Sequence, residues 1–535
     1  MAISSNISVR GMLHRAARWY GEREAIVDET QRCTYAGLLD RAQRCAHLLY
    51  QLGVRKGDRV ALLTYPSVEH FVTWFAAVEL GAIPVALHVR EAPHVLARVV
   101  ERLSAKVLVF DGELEGVAVQ MHTAAPGPHY GSIRIIVEGA KADSAGARLQ
   151  ADFEIPLDLA AAPRHAGTVS VVESDPAVIV LSSGTTALPK GVIHTNRTIM
   201  ESARGGCYLW KCDGRDISVN MMSTSFIGWL NLSLPILNVC GKLVIARRFH
   251  PQVFLKLLER EKATIAFLIP TMWRLLFNDV DQDSFDLSHI RLAGFAGEIM
   301  DPTTLLKIQQ KICPEVVNVY GTTETGSCSA GSIMYVNDMV GGRLRSVGRP
   351  MLNADIRIIQ AGGTVKDELP NGERGEVVIT GPSVASQLWD DAEMAGRIFE
   401  SDGVNTWWHS GDMGYLDEGG FLYLVGRTDD MIISGGINVN PSSIEEALLS
   451  HPDVVECAVV GVPDETFGQR VVAFVVVRRI ALTSDDLNDF MLSKADVAHY
   501  QRPREYRFLD ALPKTSTGKI RRQELRASQG PRAGH

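Results

Sequence analysis

The residues best suited to chemistry lie in the stretch IVLSSGTTALPKGVIHT, which runs from Ile179 to Thr195. An apolar run ends there in a segment rich in hydroxyl groups and glycine, and Lys190 follows. Glycine lets backbone N–H groups approach an anion, hydroxyls donate to phosphate oxygens, and lysine adds a positive charge. The spacing differs from the Walker pattern, because Lys190 precedes its glycine. The stretch is therefore either a solvated turn or a phosphate-binding loop.

A second candidate is VYGTTETG, in which Tyr320, Gly321, Thr323 and Glu324 follow a β-branched run. Ligands of open α/β sheets bind beyond the carboxyl ends of the strands. The ring of Tyr320 can stack on a purine, Thr323 can bind phosphate, and Glu324 can hold a hard cation such as Mg²⁺. The two stretches together favour a nucleotide as the ligand.

Three further stretches carry charged residues that suit the same ligand. WWHSGDMGYLDEGG places Asp412 in a predicted turn between strands, where its carboxylate can accept two ribose hydroxyls. LVGRTDDMI contains Arg427, and LPKTSTGKIRR contains Lys519 near the C-terminus. Taken singly, these stretches also fit turns, a solvated linker and an exposed basic end.

The elements that must position these residues follow an α/β pattern. Amphipathic helices alternate with short apolar strands from Thr34 to Val109 and again from Ala177, which predicts parallel sheets. Between Asp111 and about Ser174 the text is rich in glycine, alanine and proline, and we predict variable loops there. After about Ser346, strands with Gly-rich turns predict an antiparallel or barrel-like unit.

The C-terminal stretch predicts a separate α+β domain. A helix begins near Pro441, with Asn440 as its cap, and two apolar strands and a closing helix follow.

Composition narrows the possible functions. The 535 residues are too many for one core, so at least two domains are expected. A net charge of −8 argues against nucleic acid as a partner. We recognise no secretory signal, and charged residues or prolines interrupt both long apolar stretches, so no membrane span is predicted. The eight scattered cysteines fit a reduced, cytoplasmic protein.

Five stretches, taken in their order along the chain, resemble the adenylate-forming superfamily, which includes acyl-CoA synthetases, peptide adenylation domains and beetle luciferases. They are SSGTTALPKG, YGTTE, the stretch around Asp412, GRTDDMIISGG and GKIRR. The likeness extends from about Thr34 to Arg522. It implies an α/β fold with a large N-terminal AMP-binding domain, residues 1–428, made of two α/β sheets and a distorted β-barrel. A small mobile α+β domain, residues 429–535, would close over the site and end in a disordered tail.

The resemblance also implies residue roles. The phosphate loop of ATP would comprise Ser182, Ser183, Gly184, Thr185, Thr186 and Lys190. Gly297, Glu298, Tyr320 and Gly321 would flank adenine, Thr323 would meet the α-phosphate, and Glu324 would ligate Mg²⁺. Asp412 and Arg427 would hold the ribose, Asp429 would be the hinge, and Gly435 and Gly436 would line a channel for the pantetheine arm of coenzyme A. Lys519, Thr186 and Glu324 would be catalytic. One departure is Ala187, where family members usually have glycine.

The implied activity is an ATP-dependent carboxylic acid–CoA ligase that forms an acyl-adenylate and then a thioester. A stand-alone enzyme that loads a separate carrier protein is the alternative, and a luciferase-like oxygenase would use the same adenylate. Met222, Phe226 and Trp229 in NMMSTSFIGWLN offer an apolar pocket wall, or are ordinary core residues. That segment lacks the aspartate that would pair with an amino acid's ammonium, which favours an aromatic or short-to-medium-chain acid. A homodimer and acetylation of Lys519 stay open.

Overall fold

A computed structural model describes most of the chain, and all structural statements below concern the residues that it describes. They are residues 7–124, 131–136, 149–165, 167, 169–182, 188–297, 300–326, 332–335, 343–427, 430, 432–434, 437–439, 441–464, 466–478, 482–494, 501–514 and 520–527.

The α-helices of this part of the chain are α1 (Val9–Tyr20), α2 (Tyr35–Gln51), α3 (Val68–Glu79), α4 (Pro93–Leu103), α5 (Glu115–Ala124), α6 (Leu157–Ala161), α7 (Asn196–Leu209), α8 (Ile227–Asn238), α9 (Pro251–Glu261), α10 (Pro270–Asp279), α11 (Pro302–Lys311), α12 (Ala392–Ile398), α13 (Pro441–Leu449), α14 (Ser484–Leu492) and α15 (Arg522–Ala527). The helix predicted near Pro441 is therefore confirmed, while its predicted cap, Asn440, lies outside the described residues.

The strands are β1 (Glu24–Val27), β2 (Arg32–Thr34), β3 (Arg59–Leu63), β4 (Ile83–Ala86), β5 (Val107–Asp111), β6 (Gly131–Ile135), β7 (Phe153–Ile155), β8 (Pro176–Ser182), β9 (Lys190–Thr195), β10 (Ile217–Asn220), β11 (Lys242–Ile245), β12 (Ile265–Phe267), β13 (Leu292–Ala296), β14 (Val316–Val319), β15 (Ser332–Tyr335), β16 (Ser346–Pro350), β17 (Asp355–Ile359), β18 (Gly375–Thr380), β19 (Gln387–Leu388), β20 (Phe399–Ser401), β21 (Thr406–Leu416), β22 (Leu422–Arg427), β23 (Ile432–Ser434), β24 (Ile437–Val439), β25 (Val454–Asp464), β26 (Gly468–Val477) and β27 (Glu505–Phe508).

Side-chain caps fix where several helices begin. Ser8, Thr34 and Ser67 each accept a hydrogen bond from a backbone N–H in the first turn of the helix that follows. Thr195 and Thr198 form a reciprocal capping box at the start of α7. Helix α7 therefore begins directly where the hairpin strand β9 ends.

The first compact unit consists of residues 1–356, 378–409 and 420–422. Its first sheet is parallel throughout, in the order β4-β3-β5-β6-β7. Strands β6 and β7 and helices α5 and α6 occupy the region from 111 to 174, where we predicted loops, so that prediction is wrong for the described residues. Sheet pairing supplies the hydrogen bonds that the weak local pattern of this region does not reveal.

The second sheet of this unit carries six parallel strands in the order β14-β13-β12-β10-β11-β1. Antiparallel strands flank them, with β2 beside β1 and β15 beside β14. A third, antiparallel sheet has the order β19-β9-β8. The predicted fold class, mixed α/β with several sheets, is confirmed.

One apolar core joins the two parallel sheets of the first unit. It contains residues of β3 and β5 from one sheet and of β11, β12 and β14 from the other, together with α1, α2, α3, α7 and α8. All twelve residues of α3 are buried, and Phe71 of α3 stacks on Trp229 of α8 at a ring distance of 5.3 Å. The helices thus form a layer between the sheets.

The second compact unit consists of residues 357–377, 410–419 and 423–535. Its C-terminal sheet has the order β24-β23-β26-β25, with β27 parallel to β26. Alternate residues of β25 and β26 belong to two different cores: α13 and α14 contribute to one of them, and α15 contributes to the other. The predicted domain boundary at residue 429 stays a prediction.

No helix in the described part of the chain is long and apolar enough to cross a membrane.

The central layer predicts a large cost for truncating a buried ring. Phe75 of α3 is 1% exposed, and we expect Phe75→Ala to lower the free energy of unfolding by about 3–5 kcal/mol because it leaves a cavity. Urea denaturation measures this value. Phe508→Ala is the matched control, since Phe508 is 38% exposed. Equal losses in the two variants would contradict this packing.

Candidate functional site

Several of the predicted nucleotide residues lie at the carboxyl edge of the parallel strands of the second sheet. Strands β13 and β14 are parallel neighbours in which Ala296 pairs with Val319. The chain leaves these strands at Gly297 and Tyr320, so these two residues lie at the same edge. Residues 320–326 form a loop directly after β14, as the sequence predicts. This loop, called the edge loop below, contains Tyr320, Gly321, Thr323 and Glu324.

Buried side chains bind the end of the edge loop. The carbonyl oxygen of Gly326 accepts hydrogen bonds from Ser202 Oγ and Asn231 Nδ2, both at 2.7 Å. Ser202 Oγ also lies 2.6 Å from Asn231 Oδ1. Ser202 is on α7 and Asn231 is on α8, and both are buried. The two helices therefore fix the height of the loop above the sheet.

Glycine is required at position 326 for two reasons. Its φ of +71° lies in the left-handed region, which side chains with a Cβ rarely adopt. A Cβ there would also lie 3.1 Å from Cβ of Ser202 and 3.3 Å from Cβ of Ser383. The close approach of loop and helix thus depends on Gly326.

The segment 383–385 holds the middle of the edge loop. Ser383 Oγ donates to the carbonyl oxygen of Thr325 at 2.9 Å, and the amide of Ala385 donates to that of Glu324 at 2.8 Å. Inside the loop, the Thr322 amide donates to Thr325 Oγ1 at 3.0 Å. These bonds fix the backbone from which Thr323 and Glu324 project.

His194 on β9 ties the edge loop to the hairpin of the first candidate stretch. Its Nε2 lies 2.8 Å from the carbonyl oxygen of Thr323, and its Nδ1 lies 3.2 Å from Thr198 Oγ1. Because a carbonyl oxygen only accepts, Nε2 carries the proton. Burial lowers the pKa of His194 to about 4, although the bond to Thr323 opposes that shift. The imidazole is therefore neutral at pH 7.

The first candidate stretch is a β-hairpin. Strands β8 and β9 are antiparallel, and Ser182 pairs with Lys190 at the end of the ladder. Ser182 and Lys190 therefore mark the two sides of the predicted phosphate loop. Gly191 is tightly enclosed, since a Cβ there would lie 3.0 Å from Ile179 Cγ2 and from Trp389 Cβ.

In the second compact unit, Asp412 and Arg427 form an ion pair with 2.9 Å between Oδ1 and Nη1. Asp412 lies within strand β21, so the prediction that it sits in a turn is wrong. Gly411, with a φ of +66°, distorts the strand there, and a Cβ at this position would lie 3.1 Å from Arg427 Nη2. The two predicted ribose residues are thus brought together.

The three predicted pocket residues differ in burial. Trp229 is completely buried, where its ring stacks on Phe71, which is the arrangement of a core residue. Met222 and Phe226 are partly exposed and follow β10 at the carboxyl edge of the same sheet. Phe226 lies 5.3 Å from the ring of His88. Their role in binding an acid stays a prediction.

Several predicted site residues lie outside the described part of the chain, and their assignments stay predictions: Ser183, Gly184, Thr185, Thr186, Glu298, Asp429, Gly435, Gly436 and Lys519, together with Ala187. The residues that sequence reasoning missed are His194, Ser202, Asn231 and Ser383. His194 lies in the opening stretch itself, four residues after Lys190, and its imidazole is the signal that could have identified it.

The described residues fit a nucleotide and its metal ion. Within the edge loop, the hydroxyl of Thr322 is buried and makes no hydrogen bond to the described parts of the chain. Such a group costs free energy unless a ligand or water satisfies it. No cluster of three or more potential metal ligands occurs in the described residues. Magnesium commonly binds through one or two carboxylates plus substrate phosphates, and Glu324 offers one such carboxylate.

Two family models match the chain. The model of the AMP-binding enzyme family matches residues 13–389, and the model of the AMP-binding enzyme C-terminal domain matches residues 443–519. The chain is 30% identical over 509 residues to the long-chain-fatty-acid–CoA ligase FadD13 of Mycobacterium tuberculosis, covering 92% of this chain and 93% of that protein. It is 29% identical to the indoleacetate–CoA ligase of Aromatoleum aromaticum, covering 92% of each chain.

Two solved structures of one enzyme have a similar fold. The o-succinylbenzoate CoA synthetase MenE of Bacillus subtilis, in complex with the acyl-adenylate intermediate, superposes with a TM-score of 0.83 at 25% identity, covering 98% of this chain and 99% of that one. The same enzyme in complex with ATP and a magnesium ion gives a TM-score of 0.82 at 25% identity, covering 96% and 98%.

Burial of neutral His194 predicts a pH-dependent stability. In the folded protein the pKa of His194 is about 4, below the ordinary value of 6.5. The contribution of neutral His194 to the free energy of unfolding is therefore complete above pH 6.5 and is lost as the pH falls towards 4. Between pH 7 and pH 5 this group should lower the free energy of unfolding by about 2 kcal/mol. His194→Gln should remove that loss in urea denaturation. His289→Gln, at an exposed histidine, should retain it, and an unchanged loss in His194→Gln would contradict the assignment.

Proposed function

The chain belongs to the AMP-binding enzyme family, and from this premise we propose that it is an ATP-dependent carboxylic acid–CoA ligase. It joins an apolar carboxylic acid to coenzyme A through an acyl-adenylate. FadD13 and the indoleacetate–CoA ligase, which align along nearly the whole chain, support this proposal.

The observation that carries the proposal is the bond from His194 to the carbonyl oxygen of Thr323. It joins the hairpin whose tip is the predicted phosphate loop to the edge loop, which holds the predicted α-phosphate and metal residues. ATP needs these two segments at one place, because its phosphates, adenine and metal ion are contiguous. A rigid bond between them preorganises the nucleotide site.

The first half-reaction brings like charges together. An oxygen of the substrate carboxylate attacks the α-phosphorus of ATP, the bond to the bridging oxygen breaks, and pyrophosphate leaves. Cations must neutralise this approach, and we assign that role to Lys190 and Lys519. The hydroxyls of Thr186 and Thr323 bind the phosphate oxygens. Tyr320, Gly297 and Glu298 hold adenine, and Asp412 and Arg427 hold the ribose.

Glu324, together with the phosphates of ATP, would hold a magnesium ion, which would supply further positive charge to the leaving pyrophosphate. The carboxylate of Glu324 projects from a backbone that Ala385 holds in place. The edge loop therefore presents one acidic group to the triphosphate at a defined position.

In the second half-reaction the thiol of coenzyme A attacks the acyl carbon and AMP leaves. Lys519 would obstruct the thiol, so residues 429–535 rotate about Asp429 and bring Gly435 and Gly436 to the site. Glycine suits a narrow channel for the pantetheine arm because it has no side chain.

The acid is apolar. Met222 and Phe226 are partly exposed at the carboxyl edge that also carries Tyr320. The segment from Met222 to Trp229 contains no acidic residue, and an amino acid's ammonium would lose its hydration there without a partner. Aromatic and aliphatic acids both satisfy this requirement.

The experiment that tests this function is pyrophosphate release from the purified protein with ATP and Mg²⁺, across aryl and aliphatic acids, with and without coenzyme A. We expect sustained turnover only with coenzyme A present, and the rates rank the acids. Adenylate formation without any effect of coenzyme A would favour an enzyme that loads a carrier protein. No release with any acid would refute the proposal.

The role of Lys519 gives a sharper prediction. Removing one transition-state charge in a water-excluded site costs about 10²–10³ in rate, so Lys519→Ala should slow adenylate formation by that factor. Exchange of labelled pyrophosphate into ATP measures this half-reaction. Lys366→Ala, at an exposed lysine, is the control and should leave the exchange rate unchanged. Wild-type exchange by Lys519→Ala would disprove the role.

A further inference from the structure

A cluster of four charged side chains lies in the second compact unit, next to two segments to which the proposed function assigns roles. Asp430 directly follows the predicted hinge residue, Asp429. Arg522 and Arg526 belong to α15, which begins three residues after Lys519. Glu445 lies on α13. This charge cluster joins three elements that are distant in sequence.

Arg522 is at the centre of the charge cluster. Its Nη2 donates to both carboxylate oxygens of Glu445, at 2.6 and 2.7 Å. Its Nε lies 3.7 Å from Asp430 Oδ2, and Arg526 Nη2 donates to Asp430 Oδ1 at 3.1 Å. The amide of Val459 adds a hydrogen bond to Glu445 Oε1 at 2.7 Å. Arg522 thereby bridges α13 and the residue beside the predicted hinge.

The charges of the cluster balance, and its centre is shielded from water. The side chains of Arg522 and Glu445 are 19% and 14% exposed. Burial raises the pKa of Glu445, while Arg522 opposes that shift. A buried ion pair adds little net stability over apolar residues, but removal of one partner leaves a charge that the interior does not solvate. Positioning is therefore a better explanation of the cluster than stability.

The segment that carries Lys519 is held at both ends beside this cluster. Lys514 and Ile520 form an antiparallel β-bridge across it, and the amide of Arg521 donates to the carbonyl oxygen of Pro513 at 2.8 Å. Lys514 also pairs with Glu456 on β25 at 2.5 Å. Arg522 follows two residues after Ile520, so it anchors the outgoing end of the segment.

We propose that Arg522 is a positioning residue for adenylate formation, which couples the Lys519 segment to Asp430 beside the hinge. This inference rests on the proposed function. When the hinge rotates, the charge cluster makes Asp430, α13 and the Lys519 segment move as one body. Lys519 then reaches the reacting atoms in one defined position, whereas a loosely held segment would deliver it to several.

The role makes the two half-reactions respond differently. Misplacement of a reacting group by about 1 Å costs up to a hundredfold in rate, so Arg522→Met should slow adenylate formation by about tenfold to a hundredfold. Thioester formation does not use Lys519, and it should proceed at nearly the wild-type rate. A purely structural role would lower both half-reactions together, in proportion to the loss of folded protein.

The experiment compares wild type, Arg522→Met and Arg522→Lys with the acid that gives the fastest turnover. Pyrophosphate exchange measures adenylate formation, and reaction of chemically prepared acyl-adenylate with coenzyme A measures the second step. Arg522→Lys keeps the charge but not the planar guanidinium, and we expect it to recover part of the lost exchange rate. A selective loss of exchange in Arg522→Met, with partial recovery in Arg522→Lys, supports the proposal.

Arg521→Met is the matched control. Arg521 precedes Arg522, is 43% exposed and pairs only with the exposed Glu524 among the contacts described. It should exchange pyrophosphate at the wild-type rate. Exchange by Arg522→Met at that same rate, or a parallel fall of both half-reactions, overturns the inference.

If Arg522→Met does not fold, Glu445→Gln provides a second test. Glu445→Gln keeps the shape of the side chain and removes its charge, and it should reproduce the selective loss of exchange. Equal loss of both half-reactions in Glu445→Gln overturns the proposal. Failure of the proposed function is distinguishable, because the wild-type protein itself would then show no acid-dependent exchange.

Discussion

The candidate site depends on hydrogen bonds to the carbonyl oxygens of one short loop. Four consecutive carbonyls, from Thr323 to Gly326, accept from His194, Ala385, Ser383 and the pair Ser202 and Asn231. A loop beyond a strand has no ladder to satisfy these groups, and an unsatisfied buried carbonyl is costly. The donors come from β9, α7, α8 and the segment 383–385, so these elements must meet at the loop.

The layered core makes that meeting possible. Helices α7 and α8 are packed between two parallel sheets, with Trp229 stacked on Phe71 of the buried helix α3. The same helices present Ser202 and Asn231 to the edge loop. Close packing transmits small shifts because the interior has few voids. The packing of α7 and α8 in this core therefore also determines the position of the edge loop.

The two compact units differ in the interactions that hold the edge loop in the first unit and the predicted ribose and Lys519 segments in the second. In the first unit the donors to the edge loop are neutral, and burial keeps His194 uncharged at pH 7. In the second unit, charged groups dominate: Asp412 pairs with Arg427, and Arg522 pairs with Glu445. Charge-assisted hydrogen bonds are shorter and stronger than neutral ones. The proposed half-reactions need both a fixed pocket and a movable cation.

By itself, the sequence determined the α/β fold class, the loop after β14 and the candidate nucleotide residues within it, because these follow from local periodicity and short motifs. It misjudged Asp412, since a Gly-rich stretch reads as a turn even where neighbouring strands extend it. Only the tertiary structure decided that His194 and Asn231 support the edge loop, across separations of 129 and 95 residues. It also decided that Trp229 belongs to the core. Such contacts depend on which elements pack together, and no local pattern encodes a hydrogen bond over that distance.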